Sequence, residues 1–266
     1  MRDDGATFMR WTGWLLTGLF TLFMLFDTGI KLVRLPIVEE TMAQLGYPPG
    51  LGFPIGLAEA VFLILYLIPR TSMLGAVLFT GIFGGAMVSH IRLDAPLFSH
   101  VLFGAYLGLF MWGGLWLRDP ALRRILPLGS GLRDDTVHAQ GLDWFAWACT
   151  IFFVGFIIAD TIVKLVHWQV VEDIMAHLGF GPRIGVMVSV METLFLILYL
   201  IPRTAVLGAV LFMGMLGGVV AGHVRVGDPL ITHELAGVYL GIAMWARLWL
   251  RDPALRAVFP VRKMVE

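Results

Sequence analysis

The ten residues Phe62-Leu-Ile-Leu-Tyr-Leu-Ile-Pro-Arg-Thr71 occur twice, returning letter for letter from Phe195 to Thr204. The offset (Phe195 against Phe62, 133 residues) holds without a gap far outside that block. Asp27 maps to Asp160, Lys31 to Lys164, Glu59 to Glu192, His90 to His223, Arg92 to Arg225 and Pro127 to Pro260. A fixed offset over most of a chain means tandem duplication, and it constrains the fold before any single element is assigned. The chain therefore divides into a first repeat over residues 1–128, a linker over 129–141 and a second repeat over 142–266. The linker is polar, with Gly, Ser and the pair Asp134 and Asp135.

Each repeat is too apolar for a soluble domain. The chain is 58% hydrophobic and 14% charged, with a mean hydropathy of +0.84, against about 45–50% apolar and about 25% charged in soluble proteins. This is the composition of a membrane protein. Net charge is zero and no basic block stands out, so nothing in the chain points to nucleic acid. The single cysteine, Cys149, excludes an internal disulfide, a paired-thiol redox motif and a thiolate-rich metal site, and it reads as a small hydrophobe. The first apolar run lacks a small-residue cleavage site after it and is expected to remain as a span.

A helix needs about 20 mostly apolar residues to cross a hydrocarbon core of about 30 Å. The first repeat offers four such runs, near 11–32, 51–68, 72–91 and 97–117, and the second offers 144–166, 184–201, 205–224 and 231–250. Breaks fall where turn chemistry demands them: Pro69-Arg70-Thr71, Asp94-Ala-Pro96, Gly227-Asp-Pro229, and the glycine- and proline-bearing stretches near Gly46–Gly50 and Gly179–Pro182. The expected fold is all-α: eight transmembrane helices arranged as two parallel tandem four-helix bundles.

Four spans per repeat bring both copies in from the same side, so their pseudo-two-fold axis should run along the membrane normal. Thirteen Lys and Arg residues flank the ends on the side of the termini and six flank the other (Lys31, Arg34, Arg92, Lys164, Arg183 and Arg225). That asymmetry puts both termini in the cytoplasm. Trp11, Trp14, Trp112 and Trp116, with their copies Trp144, Trp147, Trp245 and Trp249, are expected as a belt at that interface. The pairs Gly81/Gly85, Gly214/Gly218, Gly104/Gly108 and Gly237/Gly241 have the small-residue spacing that lets helices pack closely in lipid. In Trp116-Leu-Arg-Asp-Pro-Ala-Leu-Arg123, Asp119 is placed to cap a short helix that Pro120 begins, with Arg118 and Arg123 facing lipid phosphates.

The informative residues are the ionisable ones, which cost roughly 2.5–3.5 kcal/mol at mid-membrane on insertion scales. Asp27 and Lys31 are four apart on one helix face and can pair. Glu59 lies ten residues before Pro69, or about 15 Å from the cytoplasmic end at about 1.5 Å per residue. His90, Arg92 and His100 cluster where the third span ends and the fourth begins. The set describes an outward-facing recess floored by Glu59 and rimmed by Asp27, Lys31, His90, Arg92 and His100. The second copy repeats it with Asp160, Lys164, Glu192, His223, Arg225 and His233. On this estimate the rim cations lie roughly 10 Å from Glu59 along the normal, so it lacks a counter-charge unless they fold inward. Simpler roles remain open: an ion pair at a helix end for Asp27 and Lys31, a snorkelling Arg92, and interfacial hydrogen bonding for the histidines. A bis-histidine haem or metal site is the sharper alternative for His90 and His100, and no metal site is assigned.

Taken together, Asp27-x-x-x-Lys31, Glu39-x-x-Met42-x-x-Leu-Gly46-Tyr-Pro, Glu59, Ile68-Pro-Arg-Thr71, Gly75-Ala, Gly84-Gly85, His90-x-Arg92 and Trp116-Leu-Arg-Asp119 resemble the DoxX-like family of four-span bacterial membrane proteins, here fused as two copies. The second copy departs at Gly227-Asp228 for Asp94-Ala95 and at Phe180-Gly181 for Tyr47-Pro48. The resemblance implies residence in the bacterial inner membrane. It also implies a link to quinone-dependent redox complexes, since the family takes its name from a subunit of a thiosulfate:quinone oxidoreductase. Quinone as a ligand, and a membrane or peripheral redox protein as partner, rest on that resemblance alone. No catalytic residue is carried over. Two other readings stand beside the redox subunit: a proton-coupled transporter of a small solute, and a scaffold for another membrane enzyme whose polar residues are structural.

Overall fold

The protein is described by a computed structural model over residues 3–129, 143–166 and 169–262. The expected linker, apart from Gly129, lies outside the described residues, as do Arg2, Arg133 and Lys263 of the charge count and the side chain of Arg183. Among the described residues every regular element is helical. The first repeat contains α1 (Asp3–Leu32), α2 (Pro36–Gln44), α3 (Gly52–Leu67), α4 (Ser72–Arg92), α5 (Phe103–Arg118) and α6 (Pro120–Arg123). The second repeats the order with α7 (Asp143–Leu165), α8 (Gln169–His177), α9 (Pro182–Leu200), α10 (Ala205–Val226), α11 (Ala236–Arg251) and α12 (Pro253–Val258). A π-helical turn opens the fourth span of each copy, at Leu97–Val101 and Leu230–Glu234. Two helices the sequence reading passed over, α2 and α8, occupy the connection between the first two apolar helices, with proline beginning α2 at its first turn.

Among the described residues five helical segments are long and apolar enough to cross a membrane: Gly5–Leu32, Ser72–Arg92, Leu97–Arg118, Trp144–Leu165 and Ala205–Val226. The apolar helices Gly52–Leu67 and Ile184–Leu200 are shorter. At 16 residues, α3 is roughly 24 Å long, because Pro69 stops it. The lipid-facing character is direct: Leu15, Leu22 and Phe26 on α1 and Ile64 on α3 point outward at 59–68% exposure, an arrangement only lipid or another apolar surface accommodates.

Within each copy the four long helices close a ring: α1 packs on α3 and α5, and α4 on both, and the second copy repeats the pattern. The duplicated ten-residue block is the α3–α4 hairpin. Tyr66 is fully buried and donates to the Met111 carbonyl at 3.0 Å, as Tyr199 does to Met244 at 3.0 Å. Thr71 Oγ1 donates back to the Leu65 carbonyl at 2.8 Å, and Thr204 Oγ1 to Leu198 at 2.7 Å. Phe20, Phe79 and Tyr66 meet edge to face beneath them, and Phe153, Phe212 and Tyr199 do the same in the second copy.

The halves meet through α4 and α10, the most extensive helix contact in the molecule. Glycine makes the crossing possible: the expected Gly81, Gly85, Gly214 and Gly218 all lie in it, and Gly84 and Gly217 make its tightest points. A methyl group on Gly84 would lie 1.7 Å from the Gly214 carbonyl oxygen, and one on Gly217 would lie 2.0 Å from that of Gly81. Gly81 and Gly214 themselves face only ordinary contacts, at 3.7 Å. The close approach therefore belongs to Gly84 and Gly217. In the fourth span the expected pairs are half right. Gly104 and Gly237 press on the backbones of Phe83 and Leu216, whereas Gly108 and Gly241 sit more loosely.

The ends of the repeats strap the halves reciprocally. Gly129 N–H donates to the Arg203 carbonyl and Arg262 N–H to the Arg70 carbonyl, both at 2.7 Å. Arg262 also pairs with Asp119. The expected cap is present: Asp119 Oδ1 accepts from Ala121 N at 3.0 Å and Asp252 Oδ1 from Ala254 N at 2.8 Å. Arg118 departs from expectation. It lies over the rings of Trp14 and Tyr66 rather than facing lipid phosphates. Of the tryptophans expected as a belt, Trp11, Trp14, Trp144, Trp147 and Trp249 are exposed, whereas Trp245 is buried against Phe259, and Trp112 and Trp116 donate inward to Thr80 and Leu126.

Candidate functional site

The acid at the floor of each recess is not left alone. Lys31 stands in the last turn of α1, where that helix crosses α3 at Gly56; a methyl there would meet Lys31 Cβ at 2.7 Å. This close crossing lets the Lys31 stem run inward. Its Nζ donates to Glu59 Oε1 at 2.6 Å and to Asp27 Oδ2 at 2.6 Å. The separation of roughly 10 Å expected from helix rise is therefore corrected, because the lysine side chain itself spans the difference in depth. The second copy is built alike: Lys164 Nζ donates to Glu192 Oε1 at 2.6 Å and also pairs with Asp160. The acids are deep, with side chains 2% (Glu59) and 4% (Glu192) exposed. Each cluster thus holds two carboxylates against one ammonium, with the aspartate at the rim.

Above Glu59 the first repeat encloses a cavity of about 350 Å³, at the small end of the usual ligand-pocket range. Its polar lining is Asp27, Lys31, Glu59, His90, Ser99 and His100, and its apolar wall includes Phe23, Met24, Ile82, Phe83, Phe103 and Leu107. Five of the six expected members of the first recess therefore meet around one space. His90 and His100 stand edge to face with ring centroids 5.5 Å apart, and His100 Nδ1 shares a 2.8 Å hydrogen bond with Ser99. His223 and His233 repeat that pairing at 5.5 Å.

Arg92 and Arg225 do not join the recesses. Arg92 Nη2 donates to the Leu45 carbonyl at 2.8 Å and Arg225 Nη2 to Leu178 at 2.6 Å, closing the ends of α2 and α8. Each also lies against the neighbouring half's glycine turn, at Gly179 or Gly46. They belong to the contact between halves because α4 and α10 end side by side there. Asp228 and His177 were not anticipated. His223 Nδ1 lies 2.6 Å from Asp228 Oδ2, and His177 Nε2 lies 3.0 Å from Asp228 Oδ1. The hydrogen bonds from His223 and His177 hold the Asp228 carboxyl below its ordinary range. The signal in sequence was the departure from the repeat at Gly227-Asp228, five residues after a recess histidine. Among the described residues no group of three or more His, Cys, Asp or Glu side chains is arranged to hold a metal ion.

Both copies carry the same chemistry: a buried ammonium bridging two carboxylates, with an imidazole pair at the mouth. Such a site can hold a polar group at the end of an apolar molecule and exchange a proton with it. No curated protein and no solved structure gives a significant match to the chain. The profile of the DoxX-like family matches it twice, over residues 15–114 and 148–247. With most of its length accounted for by two matches in tandem, the chain belongs to the DoxX-like family.

Proposed function

We propose that this is a quinone-linked redox subunit of the bacterial inner membrane, crossing it eight times as two parallel four-helix repeats with both termini in the cytoplasm. The observation that carries the reading is the first-repeat cavity, apolar-walled and opening over Lys31, Glu59, His90 and His100. A quinone ring suits the apolar wall, its oxygens suit a lysine and two imidazoles, and its redox chemistry needs protons delivered or removed at those oxygens. Electrons come from a partner protein in this reading, since the chain's single cysteine offers no dithiol couple. Two shorter helices, α3 and α9, and the π turn continued by α11 complete the eight spans, with the bilayer thinned locally around the shorter two.

The saturated pairing of Lys31 with Asp27 and Glu59 favours one second reading, a membrane scaffold in which the cluster only fixes α1 to α3. Extraction of the protein purified in mild detergent separates the two. The redox reading expects quinone at about one per chain, reduced in Phe103→Ala, which opens the apolar wall without touching the ion cluster. Quinone no higher than in an unrelated membrane protein prepared alongside would leave the scaffold.

A further inference from the structure

The duplication preserves the ion cluster, yet the surroundings of the two copies differ in three ways. First, the rim histidine: among the described residues His90 has no side-chain hydrogen-bond partner, whereas His223 is bonded to Asp228, itself held by His177. The first copy has Ala95 and Gln44 at those two positions. The turn that carries them is otherwise the same, with Asp94 at φ 49° and Gly227 at φ 72°, and with Ala95 N–H and Asp228 N–H donating to the His90 and His223 carbonyls. Second, the wall: Phe103 packs edge to face on Phe23 at 5.3 Å, while its counterpart is Ala236, which leaves Phe156 47% exposed. Third, the floor: Glu192 Oε2 accepts from Thr161 at 3.1 Å, whereas the same pair in the first copy, Thr28 and Glu59, faces each other more loosely.

We infer that the two copies are not equivalent: the recess of the first repeat binds a small, largely apolar molecule bearing a hydrogen-bond donor, and that of the second is a structural copy that does not. Each difference acts in the same direction. Asp27, 27% exposed at the cavity with one carboxylate oxygen on Lys31, has its other oxygen to accept from a ligand hydroxyl or amine. A free imidazole at the mouth can turn toward that ligand, and an aromatic wall gives a ring something to stack on. The second copy has the imidazole engaged internally and the aromatic wall removed. Duplication allows this, because one copy retains binding while the other is free to become a buttress across the α4–α10 contact. The inference concerns which recess binds, and it holds whether or not the ligand is a redox carrier.

The test uses a diazirine-bearing dialkylphenol, an apolar ring with one hydroxyl donor and no need of a redox partner, photolysed with the full chain in lipid nanodiscs. Adducts are mapped and counted by mass spectrometry. Saturable labelling at one site per chain, on α1, α4 and α5, is expected. Importing the lock with Gln44→His and Ala95→Asp should weaken that labelling by about tenfold, the loss of roughly one hydrogen bond to a charged group, with the melting temperature unchanged. The converse pair, Asp228→Ala with Ala236→Phe, should create a second saturable site on α7, α10 and α11. Equal labelling of both copies in the native chain overturns the inference, as does saturable labelling of neither. Undiminished first-site labelling in a folded Gln44→His, Ala95→Asp protein overturns it too. If that variant fails to fold, the converse pair decides alone: no second site, no inequivalence. Failure of the quinone extraction leaves these outcomes untouched, so the two ideas fall separately.

Discussion

The contact between the halves offers the sharpest structural test, because neighbouring glycines on one helix should respond oppositely. In Gly84→Ala the new methyl would stand 1.7 Å from the Gly214 carbonyl oxygen, and in Gly217→Ala 2.0 Å from that of Gly81. Ordinary contact begins at 3.4 Å, so α4 and α10 must separate by more than an ångström or tilt to open the same gap. A gap of about 0.5–1 Å already forfeits a quarter to a half of a contact's dispersion energy, and in lipid dispersion is most of what holds helices together. Overpacking of this kind costs about 1–3 kcal/mol, and more where backbone faces backbone. Gly81→Ala and Gly214→Ala, three residues away, meet nothing nearer than 3.7 Å and should be neutral within about 0.5 kcal/mol. The assay is reassociation of the two repeats expressed as separate chains broken within the linker, scored by co-purification, with thermal unfolding of the intact chain beside it. Four variants that behave alike, or weaker association in Gly81→Ala than in Gly84→Ala, would refute the helix register argued here.

Lys31→Met should destabilise the chain by about 3–5 kcal/mol, since it strands Glu59 and Asp27 together, and Lys31→Met with Glu59→Leu should recover much of that; thermal unfolding in detergent measures both. Tyr66→Phe and Tyr199→Phe each remove one buried hydrogen bond to a helix carbonyl and should each cost about 0.5–1.5 kcal/mol, nearly additively because the sites lie in different repeats. The lowered Asp228 carboxyl contributes stability that is complete above the ordinary carboxylate range and is lost as pH falls through its depressed value. Melting temperature followed from pH 7 into the acid range should therefore fall less steeply for Asp228→Asn than for the native chain; parallel curves would show that the His223–Asp228–His177 contact contributes nothing.

Much of the architecture was legible because duplication and hydropathy act over long stretches. The hairpin at Pro69, the cap at Asp119 and the pairing of Asp27 with Lys31 follow from local spacing, and each is present. What could not be read depends on how helices cross. Lys31 reaches Glu59 only because α1 meets α3 at Gly56, a contact between residues far apart in the chain. Arg92 lies on the same helix end as His90, yet α4 turns it toward the other half, since the face that carries it is the one α10 covers. The glycine spacing suggested Gly81/Gly85 and Gly214/Gly218, and all four lie in the crossing, but the Cα hydrogens that face the partner backbone most closely are those of Gly84 and Gly217, against the carbonyls of Gly214 and Gly81. Adjacent small residues make the motif ambiguous in phase, and only the partner helix resolves it. Asp228 was visible as a departure between copies, but its meaning required the fold that brings His177 from α8 to the same turn.

The central claim is that Glu59 meets the ligand's polar group within the first recess. Infrared difference spectra of the full chain, recorded on adding a short-tailed ubiquinol, test it most directly, with Glu59→Gln and Glu192→Gln measured alongside. The account expects a carboxyl band that changes on ligand addition, vanishes in Glu59→Gln and persists in Glu192→Gln. No carboxyl change in the native chain, or a change that survives in Glu59→Gln, would contradict it.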